Sequence, residues 1–367
     1  MEALYIRRHK GFTMVEMMVG LALGLLASLA IFTAVSSFET QRRITAGGAD
    51  MQQNGLLALY FLEQDLRMAG FGLIDGSTVP GRLPCVKVNS VSVAPVSITE
   101  GGGSASDILT THRLDSDTGG IVTGGGAGKL TSALSTINSI TSMTVDTAQA
   151  IHLNDYLLIP DANMNCTQVK ATSMPAVYAQ TPGTPGTPAT PAVPATRTTP
   201  AIPAQPAQPA VPGVPVVPVS TIINLGQSVP SFPAMMYSLD ANFNLNHSDD
   251  GGKTWSPVAA NIVNMQAQYG IANGGSQSVS CWTNASGSAC GGSDWANPPA
   301  ADINRIKAIR IAIVARSAQR APNLVTTASP TWYGGAIDVS NIANWQNYRY
   351  KVYQTVIPVR NVIWGNL

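Results

Sequence analysis

Lys10-Gly11-Phe12-Thr13-Met14-Val15-Glu16 opens an apolar run that continues to Phe38, and the rest of the chain is read outward from it. A basic leader (Arg7, Arg8, His9, Lys10) meets a small residue, then an aromatic one, then a single acid inside an otherwise apolar helix. An acid at membrane depth costs about 2.5–3.5 kcal/mol on insertion scales, so its presence calls for a functional reason. Phe12–Phe38 contains no proline and is long enough to cross ~30 Å of hydrocarbon as a helix. Met1–Gly11 is too short and too polar for a secretory signal with its own apolar region. Its positive charges stay cytoplasmic by the positive-inside rule, which turns everything after Phe38 outward. Gly20 and Gly24 form a small-xxx-small pair that admits close approach of a second helix. Plain tolerance of glycine in a membrane span accounts for the pair equally well.

From Glu39 to Ala69 the helical period continues in water-soluble form. Met51, Gly55, Ala58, Leu59, Leu62, Leu66 and Ala69 recur at steps of three and four, while Gln52, Gln53, Glu63, Gln64 and Arg67 fall elsewhere. Gly47-Gly48 weakens the helix by about 1 kcal/mol per glycine relative to alanine, and predicts a bend or local melt there. Gly70 and Gly72 supply the stop.

The remaining composition narrows the class. The chain has 367 residues, a formal net charge of +1 and only 11% charged residues. That balance offers no basic patch of the size nucleic-acid binding requires, so no directly bound nucleic acid is expected. The four cysteines, Cys85, Cys166, Cys281 and Cys290, form no Cys-x-x-Cys pair. In an outward-facing head they default to disulfides. Of the three connectivities open to four cysteines, Cys281–Cys290 with Cys85–Cys166 is favoured, the first closing a Gly/Ser-rich loop; four unpaired thiols stay open at this point.

The opening stretch resembles the leader of type IV pilin-like proteins, with cleavage after Gly11, a new N-terminus at Phe12 and a glutamate at the fifth mature position. The resemblance implies N-methylation of Phe12, and pairing of Glu16 with the free amine of a neighbouring subunit's first residue. Pairing two charges that are costly alone in an apolar core would enforce subunit register. Without the resemblance, Glu16 reads as an acid that snorkels to the nearby surface. Met51-Gln52-Gln53-Asn54-Gly55, Leu62–Phe71, Arg305–Ser317 and Tyr353–Asn361 look like segments of the PilW family of minor pilins.

The head reads as β-rich, with strands predicted at Ser139–Thr147, Asp155–Pro160, Thr167–Thr172, Met235–Leu239, Asn261–Ile271, Ile306–Arg316 and Tyr348–Val359. Ile309, Ile311 and Ile313 alternate with Arg310 and Ala312, which suits a strand with one buried face. Gly101–Gly103 and Gly119–Gly128 read as loops. Between Pro182 and Pro218 proline recurs every third residue, with Arg197 alone breaking the register. This is polyproline II spacing, reaching roughly 110 Å if fully extended. Glycine is not at every third position, which excludes a collagen triple helix. A solvated low-complexity insertion is the expected reading; a stalk or a ligand for an aromatic groove is the sharper one.

Ser248-Asp249-Asp250-Gly251-Gly252-Lys253-Thr254-Trp255 matches Ser-x-Asp-x-Gly-x-Thr-Trp, and resembles the Asp-box of sialidases and related propellers. It occurs once, so Ser248, Asp250, Gly252, Thr254 and Trp255 read as a stabilised hairpin rather than a propeller repeat. Calcium at Asp249 and Asp250 is disfavoured because the EF-hand spacing is absent. Asp240, Asp249 and Asp250 suit turn capping better than a paired-carboxylate site. His9, His112, His152 and His247 are scattered, and no hydrolase, metalloprotease or P-loop motif is present. No catalytic site, metal or cofactor is expected, and the chain is not expected to be an enzyme.

The expected fold is α+β and pilin-like: a long N-terminal helix, apolar then amphipathic, packed on a large β-rich head with long Gly- and Pro-rich loops. The expected divisions are leader 1–11, membrane or filament-core helix 12–38, amphipathic helix 39–70, head 71–174, Pro-rich insertion 175–219 and head 220–367. The resemblance implies a minor pilin in low copy near the pilus tip. Such a subunit primes assembly and helps display a large tip adhesin, with twitching motility, adhesion and DNA uptake as consequences. The implied partners are the prepilin peptidase/N-methyltransferase, other minor pilins, the major pilin and the inner-membrane assembly platform. The implied location is a single pass in the inner membrane with a periplasmic head, then the filament. A J-type pseudopilin of a type II secretion system, or a membrane-anchored carbohydrate-binding or hydrolysing protein, are the alternatives.

Overall fold

The structure, a computed structural model, describes residues 11–73, 85, 87–88, 91–92, 94–102, 104–113, 129–130, 143–145, 151–160, 165–174, 176–177, 220–225 and 234–364. The leader before Gly11, the Gly119–Gly128 loop, the Pro182–Pro218 tract and most of the Ser139–Thr147 strand expectation lie outside the described residues.

A single helix, α1 (Met14–Met68), carries the chain from the opening motif into the head. Thr13 caps it, and no proline interrupts it. The expected break at Gly47-Gly48 does not occur: both residues stay helical. Gly47 is buried against the head, where an added Cβ would lie 3.8 Å from the Ser317 Cβ, so tertiary contact outweighs the weak propensity. Gly70 and Gly72, at φ 78° and 73°, end the helix in the left-handed region that glycine alone enters freely. Asn361 Nδ2 donates to the Ala69 carbonyl at 2.9 Å, so the chain's last helix closes the end of its first.

The head strands of four residues or more are β1 (Val96–Thr99), β2 (Ile108–Thr111), β3 (Tyr156–Pro160) and β4 (Asn165–Lys170). They continue with β5 (Met235–Leu239), β6 (Leu245–Ser248), β7 (Ser256–Ala259) and β8 (Ile262–Ala272). The last are β9 (Val279–Thr283), β10 (Ile306–Arg316) and β11 (Tyr350–Pro358). One sheet runs β9-β8-β10-β11 and is antiparallel throughout. A second, also antiparallel, runs β7-β6-β5-β2-β1. A third places β3 and β4 between Ile223–Asn224 and Lys87–Val88.

The amphipathic half of α1 lies on β10, β11 and β7. Ala58, Leu62, Leu66 and Ala69 are fully buried and share one core with Ile309, Ile311, Ile313, Tyr353 and Ile357. Each leucine so buried stabilises by roughly 2–3 kcal/mol. Residue 55 has to be glycine here. A Cβ on it would fall 2.2 Å from the Tyr353 ring.

The other face of β10 departs from expectation. It is not open: Ala312 and Val314 are buried under Ile337, Val339 and Ile342 of the segment that precedes β11. That segment folds back over the sheet, so β10 is covered on both faces. Arg316 stays among the apolar residues by stacking between Phe243 and Tyr348, at 4.0 and 4.5 Å from the ring centroids. In β3 the period of two serves two cores: Leu158 faces the main one, Leu157 and Ile159 a smaller cluster with Val145, Ile151 and Ile222.

Asp107 joins the two large sheets. Its carboxylate accepts from the Gly101 N–H at 3.0 Å and the Ala267 N–H at 2.8 Å. Burial pushes the Asp107 carboxyl up to about 6, despite those two donors.

Two outcomes follow from this packing. Gly55→Ala destabilises the head by about 1–3 kcal/mol in urea unfolding followed by near-ultraviolet circular dichroism, because overpacking against Tyr353 exceeds the gain in helix propensity. Gly48→Ala, with nothing within 4 Å of its Cβ, is neutral or stabilising in the same assay. The raised Asp107 value lies above the ordinary 3.8, so its contribution is complete below about pH 4 and is lost as pH rises through 6. The stability of the wild type relative to Asp107→Asn therefore falls between those pH values, measured as urea midpoints.

Candidate functional site

The opening motif sits at the free end of α1. Glu16 N–H donates to Thr13 Oγ1 at 3.2 Å, and the Glu16 carboxylate accepts from Thr13 N–H at 3.3 Å. This capping box satisfies two of the helix's unpaired amides. Thr13 was not among the expected site residues, although Thr13-x-x-Glu16 ahead of an apolar run is the sequence signature of such a box. Within one chain, then, Glu16 caps its own helix one position beyond Phe12, the residue expected to become the new N-terminus. Phe12 itself is 85% exposed.

Among the described residues, the helix around the motif has no packing partner. Phe12, Met14, Leu21, Leu25, Leu29, Phe32 and Phe38 are all more than 60% exposed. Gly20 and Gly24 have nothing within 4 Å of an added Cβ. Among the described residues, no contact requires glycine at either position. Such a surface is unstable in water and calls for lipid or other helices.

The other end of α1 is held by a polar pin that the sequence pattern did not single out. Asp65 is buried. Tyr237 Oη donates to its carboxylate at 2.6 Å, Arg113 Nη1 approaches at 3.2 Å, and His247 Nε2 lies 3.5 Å away. Burial, followed by the Asp65 bond and charge, drives the Tyr237 phenol well above its usual range. Asp65 stands seven residues after Ala58 and three after Leu62, on the apolar stripe, so an acid there signals a buried partner, but nothing nearby in the sequence says that Arg113 and Tyr237 supply it.

The remaining expected residues are separate from the motif. In the 248–255 turn the Asp250 carboxylate accepts from Ser248 Oγ (2.7 Å), the Lys253 and Thr254 N–H groups (2.9 Å each) and Thr254 Oγ1 (2.7 Å). Trp255 Nε1 donates to the Gly252 carbonyl at 3.0 Å. The Thr254 backbone and hydroxyl, with Ser248, hold the Asp250 carboxyl far below the usual carboxylate range. Asp240 binds the N–H groups of Asn242 and Asn244 in its own turn. These carboxylates are thus occupied in local turns. Cys85 is bonded to Cys166 and Cys281 to Cys290, with Sγ–Sγ separations of 1.90 and 1.93 Å. The second bridge bounds a loop organised by Arg305, which donates to the carbonyls of Ala272, Cys290 and Gly291 around the buried Trp295.

Asp250→Ala frees the 248–255 turn. Trypsin cleavage after Lys253 rises several-fold and Trp255 emission shifts to the red, while the global unfolding midpoint moves little.

Two family models match the chain. One, the prokaryotic N-terminal methylation motif, matches residues 6–32. The other, type IV pilus-assembly protein W (PilW), matches residues 227–361. The latter takes in the Asp-box turn, the β8–β11 sheet and the segment that covers it, and includes both Arg305–Ser317 and Tyr353–Asn361; the resemblance noted over residues 51–71 lies outside both matches. Neither a curated protein nor a solved structure matches the chain. With a prepilin-type N-terminus on an apolar helix and a PilW region in its head, the chain is a pilin related to type IV pilus assembly.

Proposed function

We propose that this protein is a minor pilin, held by the first half of α1 as a single pass in the inner membrane with its head in the periplasm, and then taken into the filament. The observation that carries the reading is the union, on one unbroken helix, of a methylation motif and a PilW head. The prepilin peptidase/N-methyltransferase cuts after Gly11 and methylates Phe12. In the membrane the apolar half of α1 is covered by lipid; in the filament it is covered by the helices of other pilins, with Gly20 and Gly24 allowing close approach.

Glu16 acts in both settings. In the free subunit its carboxylate is engaged by Thr13, which lowers the cost of holding it near the membrane surface. In the filament it exchanges this local bond for the amine of a neighbouring Phe12. That exchange replaces bonds from uncharged donors to the carboxylate with one between two full charges, which attract more strongly in an apolar filament core. The subunit works in low copy at or near the tip, where it primes assembly on the inner-membrane platform. There it supports display of a large tip adhesin, and through it adhesion, twitching motility and DNA uptake. We read the protein as non-enzymatic, since Asp240 and Asp250, two of the three carboxylates considered for a paired site, cap their own turns.

Mass spectrometry of sheared filaments from the native host is the test. A peptide beginning at N-methylated Phe12, far below the major subunit in amount, is the expected result. The same mature peptide confined to the inner membrane would assign the chain to a secretion pseudopilin instead. Glu16→Gln should leave membrane extraction unchanged and lower filament incorporation several-fold; unchanged incorporation rejects the charge exchange.

A further inference from the structure

Where α1 leaves its apolar half and meets the head, a groove of about 590 Å³ opens between the helix and the segment following β10. Three arginines line it: Arg43 from α1, Arg320 from that segment, and Arg349 from the approach to β11. No aspartate or glutamate lines it. Among the described residues, Arg43 has only the exposed Glu39 of its own helix, at 3.5 Å, and no carboxylate lies within ion-pairing distance of Arg320 or Arg349. Three cations of one sign thus converge with little compensation.

The wall opposite the helix is built rather than loose. Buried Asn347 donates through Nδ2 to the carbonyls of Ala321 and Asn323, both at 3.1 Å, and accepts from Arg320 Nη2 at 3.4 Å. Ser317 and Arg349 are tied twice: Ser317 N–H donates to the Arg349 carbonyl at 2.9 Å, and Arg349 N–H donates to the Ser317 hydroxyl Oγ at 3.2 Å. The helix wall is bare. Gly47 and Gly48 each cost about 1 kcal/mol of propensity, yet nothing in the fold demands glycine at 48, where an added Cβ would meet open space. The missing side chains are what leave the groove its room.

The height of its lower rim points to the occupant. Arg43 lies five residues beyond Phe38, about 7.5 Å further along the helix axis. The headgroup layer occupies about 5–8 Å beyond the hydrocarbon on each side of a bilayer. Arg43 is the rim nearest the apolar run; from it the groove rises along the helix past Gly47 and Gly48 to Met51, and Ile44, Met51 and Val325 supply apolar surface within it. Arginine forks suit phosphate oxygens, and a groove of this volume is in the range of ligand sites.

We infer that this groove binds the phosphate headgroup of an anionic phospholipid in the outward leaflet, anchoring the head on the membrane surface before the subunit enters a filament. The inference rests on the membrane reading of α1. Lipid phosphate, unlike a soluble anion, is present at this level at high local concentration. Entry into the filament strips the subunit of lipid, so the site acts only in the membrane-bound state.

The test uses the full chain in nanodiscs of phosphatidylcholine with a minority of phosphatidylglycerol, with native mass spectrometry of lipids retained after mild detergent release. Phosphatidylglycerol should be retained in excess of its share of the disc. Arg320→Gln and Arg349→Gln should each lower that excess about fivefold, the expected worth of one arginine near an anionic surface. Arg320 sits on an exposed segment, so its loss leaves the fold intact. Gly48→Leu fills the groove without changing charge and should abolish the excess, whereas the triple Arg→Lys variant should keep most of it. Retention in proportion to disc composition overturns the proposal. So does unchanged retention in the glutamine and leucine variants. Displacement of the lipid by millimolar inorganic phosphate would make the groove a site for free phosphate instead. Arginine variants that keep lipid but lose filament incorporation would make it a dock for an acidic subunit surface. A chain that never enters the discs rejects the membrane reading itself, a result distinct from all of these.

Discussion

The ring of Tyr353 occupies the space where a side chain at position 55 would lie, and the rest of the head depends on that close approach. It brings the α1 backbone down onto β11 and sets the depth at which Ala58, Leu62 and Leu66 meet the isoleucines of β10. A helix held further out would leave a gap along this seam, and interior gaps cost stability in proportion to their volume. Asp65 works on the same seam by another means. Its burial is tolerated only because Tyr237 and Arg113 reach it from two different parts of the second sheet. Apolar contact therefore sets how close the helix lies, and the charged pin sets which strands it lies against.

The two halves of α1 obey opposite solvent rules although they form one helix. From Gly47 onward the helix buries one stripe and wets the other, as a globular domain requires. Before that point its apolar side chains are exposed all round, which is stable only in lipid or among other helices. The continuity through Gly47-Gly48 matters mechanically. A melted joint there would uncouple the head from the membrane half, whereas a rigid helix transmits the position of one to the other. The head's contact at Ser317 stiffens the segment with the weakest helical propensity.

On the proposed reading, Glu16 serves successive partners. Its bonds to Thr13 are local, exposed and made to uncharged donors, so they are readily exchanged. They also keep the carboxylate within a turn of the residue that would carry the new amine. A stronger internal partner, such as an arginine, would compete with the neighbouring amine proposed for the filament.

What the sequence alone determined is what depends on residues close together in the chain. The opening motif, the apolar run, the three-and-four spacing of Leu59, Leu62 and Leu66, and the alternation of Ile309, Ile311 and Ile313 are local periodicities, and each produced the expected element. The Asp250 turn is local too, since its carboxylate is satisfied within five residues. The tertiary structure decided the features whose partners lie far away in sequence. The cover over Ala312 and Val314 comes from a segment with no periodicity of its own, so β10 looks one-sided until that segment folds back. Gly47-Gly48 reads as a break by propensity, and only contact with Ser317 turns it into a joint. Asp65 reads only as an acid set into the apolar stripe until Arg113 and Tyr237 converge on it. Arg43, Arg320 and Arg349 are unrelated in the chain and become one basic groove only because α1 and the end of β10 meet there. Periodicity is written in the order of residues, whereas burial and charge convergence belong to distances between segments, which exist only after folding.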